Sequence, residues 1–160
     1  MLKKFVRTMA YIGGIVTGFY LFASAPGIHK KKKWQHLTGW DYAHRGLYDN
    51  EHGIPENSMA AFRRAVDKGY GIELDVHLTA DNQLVVFHDD TLTRMCGMNK
   101  KISSFLYSDL MQLRLLGTEE GIPLFKDVLE LIDGKVPLII ELKVDGSNQN
   151  LLCPLVWQLL

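Results

Sequence analysis

Two histidines, His44 and His88, three carboxylates, Glu73, Asp75 and Glu141, and two cations, Arg45 and Lys143, lie in or at the polar ends of otherwise apolar runs. Alternation along an extended chain puts Glu73 and Asp75 on one face, and likewise Glu141 and Lys143. Carboxylates gathered this way are costly to desolvate unless cations compensate them. Three of them make a hard oxygen site of the kind that holds a divalent cation, Mg²⁺ or Ca²⁺. Arg45, with its planar fork, and Lys143, as a point charge, suit an anionic group. Imidazoles exchange protons near neutral pH, so His44 and His88 suit general acid and base work. An anion clamp, a divalent cation and two imidazoles together describe cleavage of a phosphodiester.

The elements that must position these groups alternate between strand and helix. Residues 41–45 read as a short strand, and residues 47–56 as a loop with Gly53 and Pro55 as breakers. Asn57 or Ser58 caps a helix expected over 58–69, whose inner face carries Met59, Phe62, Ala65 and Val66. Residues 72–76 and 84–88 are strand-like, and 91–121 are irregular, with a weak helical stretch near 108–115. Pro123 opens a clearer helix that ends before Gly134. Residues 136–142 suit a strand buried on both faces, and 151–160 begin another helix. The pattern predicts an α/β fold with a mainly parallel sheet. The link between Asp75 and Leu84 is short for a parallel crossover. A hairpin centred on 79–82 would set Glu73 opposite His88, while an extended return would keep the strands parallel.

In their order and content, these residues resemble one known family. Ala43-His44-Arg45-Gly46, Pro55-Glu56-Asn57-Ser58, Glu73-Leu74-Asp75-Val76, Val85-Val86-Phe87-His88-Asp89 with Leu92 and Arg94, and Glu141-Leu142-Lys143 look like the glycerophosphodiester phosphodiesterases. The resemblance covers about 41–160. It implies a (β/α)8 TIM-type barrel that hydrolyses glycerophosphodiesters to glycerol 3-phosphate and an alcohol. It also implies that His44 and His88 are the acid/base pair, that Glu73, Asp75 and Glu141 bind the metal, and that Arg45 and Lys143 contact phosphate. Such barrels take about 250 residues, and only 120 follow residue 40. The expectation is therefore the N-terminal half of a barrel, about four strands, as part of a longer product, poorly stable and weakly active by itself. The rival readings are a related phosphodiesterase acting on lysophospholipid or sphingolipid headgroups, and an inactive membrane-tethered half-barrel module.

Other candidates have blander explanations. Asn57 serves equally as a helix cap or a substrate contact. His29, His36, His52 and His77 lack a partner pattern and read as surface or packing residues. Cys96 and Cys153 are too few for a disulfide framework and lack metal-ligand spacing.

Composition sets the remaining bounds. Apolar residues make up 47% and charged residues 22% of the 160, which excludes a disordered, collagenous or coiled-coil chain. Net charge is zero but unevenly placed: residues 1–40 hold seven Lys/Arg and no Asp/Glu, and residues 41–160 hold eleven Lys/Arg and eighteen Asp/Glu. That split favours a membrane-directed head on an acidic body over a nucleic-acid binder. Residues 9–25 carry no formal charge, and Phe5 and Val6 extend the run toward the roughly 20 residues that span a bilayer core. We read residues 1–29 as a single-pass membrane anchor, 30–40 as a basic linker and 41–160 as the catalytic domain. A cleaved signal peptide is the rival, with Ala23-Ser24-Ala25 imitating a cleavage site and Pro26 hindering it. Lysines on both flanks leave the membrane orientation undetermined, and Trp34 and Trp40 are candidate interfacial anchors.

Overall fold

A computed structural model describes residues 2–24, 35–146 and 148–160. They form two compact units, divided between Gln35 and His36. The first is helix α1, Leu2–Ser24. Its stretch Val6–Ser24, 19 residues, is long and apolar enough to cross a membrane; at 1.5 Å per residue it is about 28 Å long. Inside it the Thr8 hydroxyl donates to the Lys4 carbonyl and the Ser24 hydroxyl to the Tyr20 carbonyl. Both hydroxyls thus find partners within the helix. Lys30 to Lys33, Trp34, His29 and the Ala25-Pro26 step lie outside the described residues.

In the second unit every strand pairs with β2, Gly71–Leu78. Strand β1, Tyr42–His44, runs parallel to its first half, with His44 beside Glu73. Strand β3, Leu84–Val86, returns antiparallel along its second half. Strand β4, Leu138–Leu142, is parallel to it, with Glu141 beside Asp75. Among the described residues the parallel strands are therefore β1, β2 and β4. The fourth strand expected for the barrel is instead the return arm of a hairpin.

The hairpin register differs by one residue from the sequence expectation. Val76 pairs with Val86 and Leu78 with Leu84, so Glu73 is not set opposite His88. The cause is the turn. Thr79 N–H donates to Gln83 O, and the Thr79 hydroxyl oxygen accepts from Gln83 N–H. Three residues thus close the loop, the last of them Asn82 in the left-handed region at φ 61°.

The longer helices cover one face of the sheet. Helix α2, Met59–Asp67, starts at Ser58, whose side chain accepts from Ala61 N–H. It buries Ala61, Phe62 and Ala65. The short helices α3, Thr93–Cys96, and α4, Tyr107–Leu110, close a second apolar core with Phe87, Leu92, Ile102, Leu115 and Ile122. This is where a weak helix near 108–115 was expected. Helix α5, Phe125–Ile132, begins two residues later than Pro123 suggests. Pro123 O accepts from Val86 N–H and Leu124 bridges to Val85, which keeps both residues extended. Helix α6 is Gln149–Leu159. Ile72, Leu74 and Val76 of β2 pack with Phe62, Phe125, Val128, Leu152 and Val156 in the main core. The alternate residues Glu73, Asp75 and His77 point to the opposite face. Strand β4 is not buried on both faces as expected: Leu138, Ile140 and Leu142 pack on the core, while Ile139 is 46% exposed. The opposite face is covered by α3 and α4 only at β3, where Val85 joins the second core.

Gly46, directly after β1, has φ 78°, and a Cβ there would meet Ala61 Cβ at 2.9 Å and its backbone carbon at 3.0 Å. Gly97 has φ 71° and open space. Both Gly→Ala changes should cost the left-handed penalty of roughly 1–2 kcal/mol. Gly46→Ala should cost about 1–3 kcal/mol more from overpacking. Denaturant unfolding of the two variants checks this; equal losses would mean α2 does not press on the end of β1.

Candidate active site

The turn after β1 sets up the site. Arg45 itself is left-handed, φ 57°, and Gly46 N–H returns to Ala43 O. This aims the Arg45 backbone N–H at Glu73 Oε2, 3.1 Å away. Its guanidinium donates to Glu56 Oε1 at 2.8 Å, and Nε lies 3.8 Å from Asp75 Oδ2. The following loop is tied beneath it: Asn57, also left-handed at φ 54°, donates its N–H to Arg45 O. Asn57 Nδ2 donates to Asp75 Oδ2 at 2.9 Å. Capping of α2 falls to Ser58, and Asn57 instead holds the Asp75 carboxylate.

Strand register assembles the carboxylates. Asp75 and Glu141 are cross-strand partners, and Glu73 lies two residues along the same face. One oxygen from each of the three lies within 4.8 Å of the others. The Asp75 side chain is 1% exposed, with Lys143 Nζ 3.0 Å from Oδ1, and Lys143 also donates to Glu141 Oε1 at 2.6 Å. Burial works against the charge on Lys143, but Glu141 and Asp75 outweigh it and raise the ammonium's pKa. Arg45 Nε and Asn57 Oδ1 are buried without a hydrogen bond, while Asp75 Oδ1 has the Lys143 ammonium at 3.0 Å. Two unsatisfied polar atoms beside a buried carboxylate cost free energy; a cation would suit the Asn57 oxygen and an anion the Arg45 N–H. The donor set, three carboxylates in reach of one another, fits a hard divalent cation.

The imidazoles flank this cluster by different means. His44 Nε2 is 3.8 Å from Glu73 Oε2, and its side chain is 64% exposed. Phe87 N–H donates to Asp75 O, which brings the following His88 to the same end of the sheet. His88 Nδ1 lies 2.7 Å from Asp89 Oδ1. His77 is buried, with Nε2 3.3 Å from His88 O, and desolvation lowers its pKa. Its ring thus ties β2 to the segment that carries His88.

Sequence reasoning left three charged residues unassigned. Arg94 donates to Asp89 through Nε and NH2, at 2.8 and 2.9 Å, and to Glu56 through NH1 and NH2, at 2.9 and 2.6 Å. These bonds, with His88 assisting, outweigh burial and hold the Asp89 carboxyl at about 2. Burial raises the pKa of Glu56, but hydrogen bonds from Arg94 and Arg45 outweigh it, and the net direction is down. All three stand within the motifs quoted above, and Asp89 directly follows His88. His52 pairs on the surface with Asp49, and burial pushes the Cys96 thiol up to about 11. Neither touches the cluster.

Residues 44–157 match the Glycerophosphoryl diester phosphodiesterase family. The rat protein named Lysophospholipase D GDPD1 is 34% identical over 153 residues, covering 87% of this chain and 47% of the relative. A glycerophosphodiester phosphodiesterase of Bacillus altitudinis is 37% identical over 113 residues, 66% of this chain and 45% of the relative. The chain thus spans about half the length of the curated relatives it matches. Among solved structures, an Oleispira antarctica phosphodiesterase in complex with the product sn-glycerol-3-phosphate is 28% identical with a TM-score of 0.67. That match covers 75% of this chain and 51% of the other. A glycerophosphodiester phosphodiesterase from Parabacteroides distasonis is 35% identical with a TM-score of 0.64, over 75% and 50%.

A carboxylate whose folded pKa is depressed stabilises the fold above its unfolded pKa and loses that contribution as pH falls through the folded value. For Asp89 the window runs from the ordinary carboxylate range, about 4, down to about 2. Asp89→Asn should therefore be less stable than the parent at neutral pH, with the gap closing across that window. Unfolding midpoints recorded from pH 6 to about 2 check this, and a gap that stays constant would contradict the Arg94–Asp89 bond.

Proposed function

The chain belongs to the glycerophosphoryl diester phosphodiesterase family, and on that premise we propose that it works as a metal-dependent phosphodiesterase. The substrate is a glycerophosphodiester, and water splits it into glycerol 3-phosphate and an alcohol. The observation that carries this reading is the carboxylate trio within 4.8 Å, fringed by Arg45 and Lys143. Strands β1, β2 and β4 and their helices make up the first part of a (β/α)8 barrel. The solved relatives, each matched over about half its length, support this.

Glu73, Asp75 and Glu141 would hold the divalent cation, Mg²⁺ or Ca²⁺, which when bound supplies Lewis acidity toward an oxygen of the diester. Arg45 and Lys143 orient the phosphate and stabilise charge that grows on its oxygens. Lys143, its pKa raised by its two carboxylate neighbours, stays cationic at neutral pH. Of the two imidazoles, one takes a proton from the attacking water and the other gives a proton to the leaving alcohol. Helix α1 anchors the enzyme in a bilayer as a single pass, beside the lipids from which its substrates derive. Basic residues flank both ends of it, so charge alone assigns no orientation. The membrane helix and the name of the rat relative favour a second reading of the substrate, a lysophospholipid as the diester.

Release of glycerol 3-phosphate from glycerophosphodiesters by the full chain tests the proposal. Activity should vanish in chelator and return with Mg²⁺ or Ca²⁺, and Glu141→Gln should raise the metal concentration needed. Undiminished turnover in metal-free buffer would contradict the carboxylate assignment. His44→Ala and His88→Ala should each lower the rate about 10²–10⁴-fold, with the double variant little worse. Additive losses would mean that the two rings do not serve one proton-transfer cycle.

A further inference from the structure

We infer that Arg94 is a positioning residue, a single guanidinium that holds the His88 imidazole and the Arg45 phosphate clamp in one frame. The inference rests on the roles proposed above for those two residues. Its geometric basis is a continuous chain of contacts: His88 Nδ1 to Asp89 at 2.7 Å, Asp89 to Arg94 at 2.8 and 2.9 Å, Arg94 to Glu56 at 2.9 and 2.6 Å, and Glu56 to Arg45 at 2.8 Å. Arg94 engages both oxygens of both carboxylates.

An isolated ion pair at a half-exposed arginine contributes little to stability. Here the Glu56 side chain is only 6% exposed, and both of its partners are arginines. Remove Arg94 and Glu56 keeps one cation, Arg45, which is then free to swing toward it and away from the phosphate position. Asp89 at the same time loses the two bonds that fix its plane. A carboxylate seated on Nδ1 keeps the ring's proton there, so that Nε2 of the neutral ring is the free base and Nε2–H of the cation is the acid. With Asp89 held ionised at about 2, that arrangement persists at neutral pH. Lysine cannot replace Arg94, because an ammonium has no planar fork to grip two carboxylates at once.

The test compares the full parent chain with Asp89→Asn, Arg94→Ala and Arg94→Lys by three readouts: ¹⁵N NMR of the His88 ring, kcat and KM with a glycerophosphodiester, and melting temperature. The parent ring should carry its neutral-form proton on Nδ1. Asp89→Asn and Arg94→Ala should show a substantial Nε2-protonated population. Asp89→Asn should lower kcat about 10–100-fold with KM nearly unchanged. Both Arg94 variants should lower kcat similarly and also raise KM severalfold, because Arg45 loses its frame, and lysine should fail to rescue. Variants that melt lower but keep the parent tautomer and parent kcat per folded molecule would overturn the inference. So would full rescue by Arg94→Lys. A parent that holds the Nδ1 proton but hydrolyses no diester would count against the proposed function alone, and the tautomer shift in the variants would then decide the frame.

Discussion

Asp75 is the residue on which the arrangement depends. A carboxylate with 1% of its side chain exposed is costly to desolvate, and this protein surrounds it with Asn57, Lys143 and Arg45. Meeting that cost explains features that are otherwise strained. Arg45 and Asn57 both occupy the left-handed region, unusual for residues with a Cβ, and each thereby turns a donor toward β2. The parallel register of β4 places Glu141 beside Asp75 and Lys143 just beyond it. The cations do not complete the balance, since Arg45 Nε and Asn57 Oδ1 remain buried without hydrogen bonds. A site that is almost neutralised by its own protein suits a charged ligand that comes and goes.

A second tier of charge stands behind the first. Glu56 is fixed by two arginines, Asp89 by one arginine and one imidazole, and both carboxyls are held below their usual range. Their arginine partners are always charged, so the Glu56–Arg94–Asp89 contacts keep their charges across the neutral range. The inner tier is left to exchange protons and ligands against a rigid background. Rigidity of this kind is what positioning requires of a scaffold.

Much of this was legible in the sequence because alternation is a strict rule on strands. Glu73 and Asp75, and Glu141 and Lys143, could be placed on a face from their spacing alone, and the structure puts them there. What the sequence did not yield depends on turn chemistry and tertiary cover. The hairpin register slipped by one because Thr79 and Gln83 close a three-residue loop, with Asn82 supplying the left-handed step. Residues 138–142 are as apolar as a strand covered on both faces, yet Ile139 is exposed. Glu56, Asp89 and Arg94 were visible as charges without partners, and only the fold shows that they are partners of one another. The apolar run of α1 was equally plain, whereas the lysines after it lie outside the described residues.

The central claim is that Glu73, Asp75 and Glu141 form one divalent-cation site in the folded chain. Binding of Mn²⁺, followed by the loss of its free electron-paramagnetic-resonance signal on titration with protein, tests it without reference to turnover. The account predicts one strong site per chain, displaced by Mg²⁺ or Ca²⁺ and weakened at least tenfold in Asp75→Asn, since that change removes the most buried charge of the three. Unaltered binding in Asp75→Asn, or no strong site in the parent, would contradict it.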